Sequence, residues 1–235
     1  MRPLRVLHTA DLHLDGDAYG RADELDAHRA RERRVFQQVI DRALADQVDL
    51  VLIAGDLFDH NRVSDDSVAF VRAELARLFM PVVILPGNHD CLETNGVHER
   101  HDFSKGARHV RVIRKLDGEL VDFPELDAVV WGRGMAEHVP SFQPLAHVPT
   151  KTAGRWCIAM GHGFYYDERQ RPERSSPIFA DEIRDTGWDY LALGHHHLQA
   201  DVSQPGVAAW YAGAPGTVVR VDLSADGVRA EPRAL

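Results

Sequence analysis

Only 2 of the 235 residues are cysteine, Cys91 and Cys157, and they lie far apart in no metal or redox spacing. No disulfide framework or thiolate metal cage is therefore expected, and this usage points to a reducing, cytoplasmic setting. Long apolar runs are missing too. The longest, Leu78 to Leu85, is broken by Pro81 and is far too short to span a bilayer, so no membrane partner is expected. Nor is there a charged start followed by an apolar secretory core. Positive charge is in deficit, with 27 Lys plus Arg against 36 Asp plus Glu and a net charge of -9, which argues against a broad basic face for nucleic acid. Repeats, low-complexity tracts and Ser/Gly-rich linkers are absent, so residues 1–235 read as one globular domain with no separate capping domain evident. What is present in excess is histidine, 14 residues for which composition offers no reason.

The apolar residues fall in short runs. Arg5 to Thr9, Leu50 to Ala54, Val82 to Leu85, Cys157 to Met160 and Tyr190 to Leu193 have strand length, and the last four are unbroken enough to be buried on both faces. Phe36, Val39, Ile40, Ala43 and Leu44 recur at helical spacing. So do Val68, Val71, Leu75, Leu78 and Phe79, after Ser64 as N-cap and before Pro81 as terminator. Strand, helix, strand, helix, strand favours a parallel sheet with right-handed crossovers. Ala128 to Trp131, Ala208 to Tyr211, and Thr217 to Leu223 turning at Asp226-Gly227 read as shorter strands and hairpins of a mixed or second sheet. Glu93 to Phe103 and Ala136 to Ala153 look irregular.

Four runs end in a glycine followed at once by a metal-capable side chain: Gly55-Asp56, Gly87-Asn88, Gly161-His162 and Gly194-His195; the first run leads into Asp11-Leu12-His13. In an open α/β sheet the ligand site lies beyond the carboxyl ends of the strands, so five segments would deliver polar ligands to one place. Residues two apart in an extended segment share a face, which pairs Asp11 with His13 and His195 with His197, and turns His196 away. Each element alone has an ordinary reading: an Asx-turn for the acids, a surface or structural histidine, a turn asparagine. Those readings leave unexplained why all five ends carry nitrogen or oxygen ligands. Carboxylate, imidazole and amide oxygen without thiolate suit Mn, Fe or Zn rather than a structural zinc cage. Seven ligands are too many for one ion. Two ions about 3.5–4 Å apart, sharing a carboxylate and a bridging hydroxide, would use them all in a phosphoester-hydrolysing centre.

These segments resemble the calcineurin-like metallophosphoesterases, through D-L-H at 11–13, G-D-L-F-D at 55–59, G-N-H-D at 87–90, G-H at 161–162 and G-H-H-H at 194–197. Residues 8–14 and Tyr211-Ala212-Gly213-Ala214-Pro215 are similar to the SbcD-type nuclease of the bacterial SbcCD DNA-repair complex. The resemblance implies a four-layer α-β-β-α sandwich, an α/β fold of two mixed sheets packed face to face with helices outside. It implies one ion on Asp11, His13 and His197, a second on Asn88, His162 and His195, and Asp56 bridging both. It makes His89 the catalytic histidine, a non-ligand held by Asp59, acting as general acid while the bridging hydroxide attacks phosphorus in line. Manganese is the expected metal, with iron or zinc also suited. Asp90 carries no assigned role.

Two departures bear on substrate. Phosphoprotein phosphatases of the family carry D-R-G after the second acid and G-N-H-E, whereas here Asp59 is followed by His60-Asn61 and the later motif ends in Asp90. SbcD-type nucleases continue into a capping domain and helices that bind an ATPase; this sequence ends at Leu235, soon after the last expected hairpin, which removes the usual basis for expecting that ATPase partner. Arg62, Arg133, Tyr165 and Tyr166 are candidate substrate contacts, the arginines for backbone phosphate and the tyrosines for stacking, against the plainer alternative of solvated arginines and tyrosines covering the core edge. Arg108 to Lys115 alternates with Val110 and Val112 as the outer face of a strand would, and Arg29, Arg31, Arg33 and Arg34 look like a solvated helix start. Three functions are carried forward. The first is an exonuclease-like phosphodiesterase on nucleic acid, DNA foremost; the second is a small-nucleotide phosphodiesterase. The third, a catalytically silent scaffold, is disfavoured because every ligand and His89 are retained. Two divalent ions would add about four positive charges at the site mouth, focusing positive potential where a phosphate must sit.

Overall fold

Valine, isoleucine and leucine crowd the five runs marked as strands, and each of those runs forms one in the computed structural model, which describes residues 1–16, 22–169 and 174–235. Residues 22 and 23 are described by their backbone alone. In chain order the elements begin β1 (Leu4–Thr9), α1 (Ala22–Ala45), β2 (Leu50–Ala54), α2 (Asp65–Leu75), β3 (Val82–Leu85), α3 (Val97–Arg100), β4 (Val110–Val112), β5 (Glu119–Phe123) and β6 (Ala128–Gly132). They continue with β7 (Trp156–His162), β8 (Phe164–Tyr166), β9 (Pro177–Phe179), α4 (Ala180–Thr186), β10 (Tyr190–Gly194), β11 (Ala200–Asp201), β12 (Ala208–Tyr211), β13 (Thr217–Ser224) and β14 (Gly227–Ala234).

Two six-stranded mixed sheets result, one ordered β14-β13-β1-β2-β3-β4 and the other β11-β12-β10-β7-β6-β5. In the first, β1 to β4 are parallel, β13 runs antiparallel beside β1, and β14 runs antiparallel beside β13. In the second, β6, β7, β10 and β12 are parallel, flanked by antiparallel β5 and β11. Strand parity explains the continuous apolar runs. Val51 and Ile53 of β2 pack outward against Phe36, Val39 and Ile40 of α1 and Val71 of α2. Leu50 and Leu52 face inward, onto Ile158, Met160, Tyr190 and Ala192 of the other sheet. A third cluster, with Ile183, Trp188, Leu191 and Leu193, closes the outer face of the second sheet. A strand such as β2 is thus buried on both faces, each side chain of this kind contributing roughly 1.5–3 kcal/mol.

Several local expectations differ from this. Helix α2 ends at Leu75, well before Pro81, because Arg77 N–H and Leu78 N–H bond three residues back, to Glu74 and Leu75, and tighten the chain out of the helix. Phe79 is left 77% exposed, while Pro81 leads into β3 and its carbonyl accepts from Val51 N–H. Arg29, Arg31, Arg33 and Arg34 sit inside α1 rather than at its start. The segment 93–103 contains the single helical turn α3. Ala208–Tyr211 pairs antiparallel with β11 on one side and runs parallel to β10 on the other, and the β13–β14 hairpin turns at Ala225-Asp226 with Gly227 in left-handed conformation. Among the described residues no helix is long and apolar enough to cross a membrane.

Candidate metal centre

Beyond the carboxyl ends of β1, β2, β3, β7 and β10 the five motifs meet. The chain does not continue as extended strand there: Asp11, His13, Asp56 and His195 all adopt positive φ, of 53°, 49°, 51° and 93°. Left-handed backbone is rare for such residues and is held here by hydrogen bonds from Asp11 N–H to Gly55 O and from His13 N–H to Asp56 O, each 3.0 Å. Asp11 and His13 thus come together, with Leu12 buried between them, through turns and not through strand parity. Gly87 is required by close approach, since a Cβ on it would lie 2.1 Å from Asp56 Oδ1.

Among the described residues, three side-chain groups have ligand atoms within 4.8 Å of one another: Asp11 with His13 and His197, Asp56 with His162 and His195, and His13 with Asp59 and His89. Asp56 Oδ2 stands between the first two, 3.2 Å from His162 Nε2 and 3.9 Å from His13 Nε2. Asn88 Oδ1 lies 3.0 Å from His162 Nε2 and 2.8 Å from His195 Nδ1. The Nδ1–H of His162 donates to Ala54 O at 2.9 Å, which aims Nε2 at the oxygens of Asp56 and Asn88. Oxygens and ring nitrogens converging in this way call for positive charge among them, a proton or a metal ion. The donor set therefore fits divalent ions of the oxygen- and imidazole-binding kind.

The same crowding shifts the proton affinities of these groups. Burial alone would lower His162, but the carboxylates of Asp56 and Asp11 and the Ala54 carbonyl outweigh it and raise it to about 9. Asp11 is pushed up to about 7, chiefly by burial, although His162 opposes the shift. Burial likewise disfavours the charged form of Asp56, yet His162, His13 and His89 hold it well below the usual carboxylate range. Burial lowers His13 and His197, and with the help of His162 lowers His195 to about 3, so these rings are neutral and their lone pairs available.

The acids near His89 divide their contacts in an unforeseen way. The Asp59 carboxylate lies 2.9 Å from His13 Nδ1 and 3.5 Å from His89 Nδ1, whereas the Asp59 main-chain carbonyl accepts from His89 Nδ1–H at 2.7 Å. Asp59 thus reaches His89 through its backbone carbonyl, while its carboxylate lies nearer His13. Asp90 is fully buried and accepts from Leu57, Phe58 and Gly87 N–H and from His98 Nε2, tying the G-D-L-F-D loop to the G-N-H-D loop. His138, in the irregular 136–153 stretch, stacks edge-on against His195 with ring centroids 5.3 Å apart. No spacing or motif marks His138 in the sequence.

Of the candidate substrate contacts, Arg62 is exposed in the loop after Asp59. Arg133 turns to the 136–153 stretch instead: it donates to Leu116 O and Gln143 O and lies over the Phe142 ring, so its guanidinium braces loops. Tyr165 donates to Asp167 at 2.7 Å, and Tyr166 accepts from Arg174 N–H at 3.0 Å and packs on Phe179. His196 packs edge-on against Phe164 and Tyr211.

The family model of the calcineurin-like phosphoesterases matches residues 4–199. The chain belongs to that family. The chain is 28% identical over 222 residues to "Uncharacterized metallophosphoesterase YhaO" of Bacillus subtilis, covering 89% of the chain and 52% of the relative. It is 41% identical over 90 residues to the DNA double-strand break repair protein Mre11 of Aeropyrum pernix, covering 37% of the chain and 21% of that protein. It is 30% identical over 138 residues to the SbcD component of the nuclease SbcCD of Rhodobacter capsulatus, covering 50% and 33%. The phosphoesterase thus spans about half the length, or less, of these relatives. TT1561 of Thermus thermophilus shares its fold, with a TM-score of 0.63 at 11% identity over 98% of this chain and 99% of the other. The chain is a two-sheet α/β sandwich of a family that uses a binuclear divalent-metal site, and its clustered aspartate and histidine side chains are candidate ligands for such a site.

Proposed function

We propose that this phosphoesterase hydrolyses phosphodiester bonds of nucleic acid in an exonuclease-like manner, with manganese as the working metal. One ion is assigned to Asp11, His13 and His197 and the other to Asn88, His162 and His195, with Asp56 shared. When bound, the two ions supply positive charge for the phosphoryl oxygens and a water of lowered pKa for in-line attack. His89 is the general acid. The Asp59 carbonyl takes its Nδ1–H, so the imidazolium form turns Nε2–H to the site; that proton passes to the leaving nucleoside oxygen as its bond to phosphorus breaks, and the ring is left as the neutral Nδ1–H tautomer. Asp59, through its carboxylate, keeps His13 in its ligating orientation. Arg62, exposed beside Asp59, is the candidate contact for a flanking phosphate.

The observation that carries the reading is the openness of the mouth. His89 and His197 are 41% and 59% exposed at their side chains, directly over the buried Asp11 and Asp56. A long polyanion can lie across such a site without being engulfed. The names of the Mre11 and SbcCD relatives favour the same substrate class. The test is turnover with manganese on bis(p-nitrophenyl) phosphate, p-nitrophenyl phosphate, a cyclic nucleotide and end-labelled oligonucleotides. Ladder products from the oligonucleotides are expected. Cleavage of the cyclic nucleotide alone would establish the small-nucleotide reading, and no turnover on any substrate would refute both.

A further inference from the structure

We infer that the cavity beside His195 is a stacking subsite for the nucleobase adjoining the scissile phosphate; the inference rests on the nucleic-acid reading above. The cavity measures about 130 Å³ and is lined by Phe164, Tyr165, His196, Ala200, Val202 and Tyr211. Its wall is continuous with the metal centre. The Phe164 ring stands edge-on to His195 with centroids 5.5 Å apart and to His196 at 5.7 Å, and His196 in turn stands edge-on to Tyr211 at 5.4 Å. A nucleotide whose phosphate sits at His195 therefore has its base within reach of this wall.

The chemistry of the lining selects a flat ring and little else. Tyr211 donates its hydroxyl to Gly163 O at 2.7 Å, and Tyr165 donates to Asp167 and accepts from Gln204, so both hydroxyls are already engaged; Tyr211 is buried as the floor, and Phe164, Tyr165 and His196 are the partly exposed rings. The Arg174 guanidinium lies 4.6 Å from the Phe164 ring centre and brings positive charge to the rim, where the phosphate on the far side of that nucleotide would pass. Drug-sized ligands occupy roughly 300–1,000 Å³. This cavity admits one planar ring system and no more. Stacking of this kind tolerates any base, because every base has a π-face.

The experiment compares an end-labelled oligonucleotide with one that is abasic at the nucleotide adjoining the cleaved bond, using manganese and both the natural protein and Ala200→Phe, which fills the cavity. The natural protein should cleave the abasic substrate about 5- to 150-fold less efficiently. In Ala200→Phe that ratio should fall toward one, because the intact substrate loses its subsite and the abasic one has nothing to lose. Equal cleavage of both substrates by the natural protein overturns the subsite while leaving the nuclease standing, as does an undiminished ratio in Ala200→Phe. If bis(p-nitrophenyl) phosphate is hydrolysed but neither oligonucleotide is cut, the nucleic-acid reading fails and the assigned ligand falls with it.

Discussion

His162 reaches across from the second sheet to the first, its Nδ1–H bonded to the carbonyl oxygen of Ala54 at 2.9 Å. That one bond sets the tautomer of a candidate ligand and couples the ends of β7 and β2. The residue after Ala54, Gly55, has φ of +97°, and a Cβ there would lie 1.9 Å from His162 Nδ1. Gly55→Ala is therefore expected to displace His162, to lower bound metal by about one ion per chain, and to reduce turnover in parallel. Elemental analysis of the purified variant reads the first effect. Full metal content with full activity would show that His162 is not fixed in this way.

Asp59 contacts His13 by its carboxylate and His89 by its carbonyl. Asp59→Ala should consequently weaken metal binding about 10- to 100-fold, the usual effect of removing a group that orients a ligating histidine. Activity should recover at raised manganese, since the carbonyl that holds His89 survives the substitution. A loss that no manganese concentration restores would assign the carboxylate to His89 instead.

Among the described residues, His89 clusters with Asp59 and His13 and stands outside the two groups assigned to the ions. His89→Ala is expected to lower kcat about 100- to 10,000-fold while leaving metal content unchanged. Loss of both metals would make His89 a ligand.

His8 is buried between the sheets, beside the Tyr190 hydroxyl at 2.9 Å, and burial lowers its pKa to about 3. An unfolded chain protonates histidine near pH 6.5. Between pH 6.5 and 3 the unfolded state binds the extra proton, so stability falls as pH drops through that window, by about 1.4 kcal/mol per pH unit for this group. Above pH 6.5 both states are neutral and the contribution is constant. Urea midpoints at pH 7, 6 and 5 should therefore decline less steeply in His8→Gln, which keeps a partner for Tyr190 and does not titrate. Parallel slopes would assign the acid sensitivity elsewhere.

The alternation of apolar runs with turn residues was enough to read the strands, because Leu50–Ala54 or Tyr190–Gly194 must be buried on both faces wherever the chain folds. The glycine before each polar residue marked the strand ends that carry chemistry, since close approach of backbone to side chain, as at Gly87 against Asp56, excludes a Cβ. Those signals are local, and local physics suffices for them. Parity misjudged how Asp11 and His13 come together, because their left-handed backbone depends on hydrogen bonds to Gly55 and Asp56 more than forty residues away. The parallel pairing of β12 with β10 was equally hidden, as four apolar residues do not say which strand they join.

Composition, strand runs and the kinds of candidate donor atoms were thus determined by the sequence itself, because burial and bonding capacity belong to each side chain. The choice of carboxylate or carbonyl at Asp59, the approach of His138 to His195, the brace formed by Arg133 and the cavity behind Phe164 were decided only by tertiary structure. Each depends on distances between segments remote in the chain, and such distances are fixed by how two sheets pack, which no local pattern encodes.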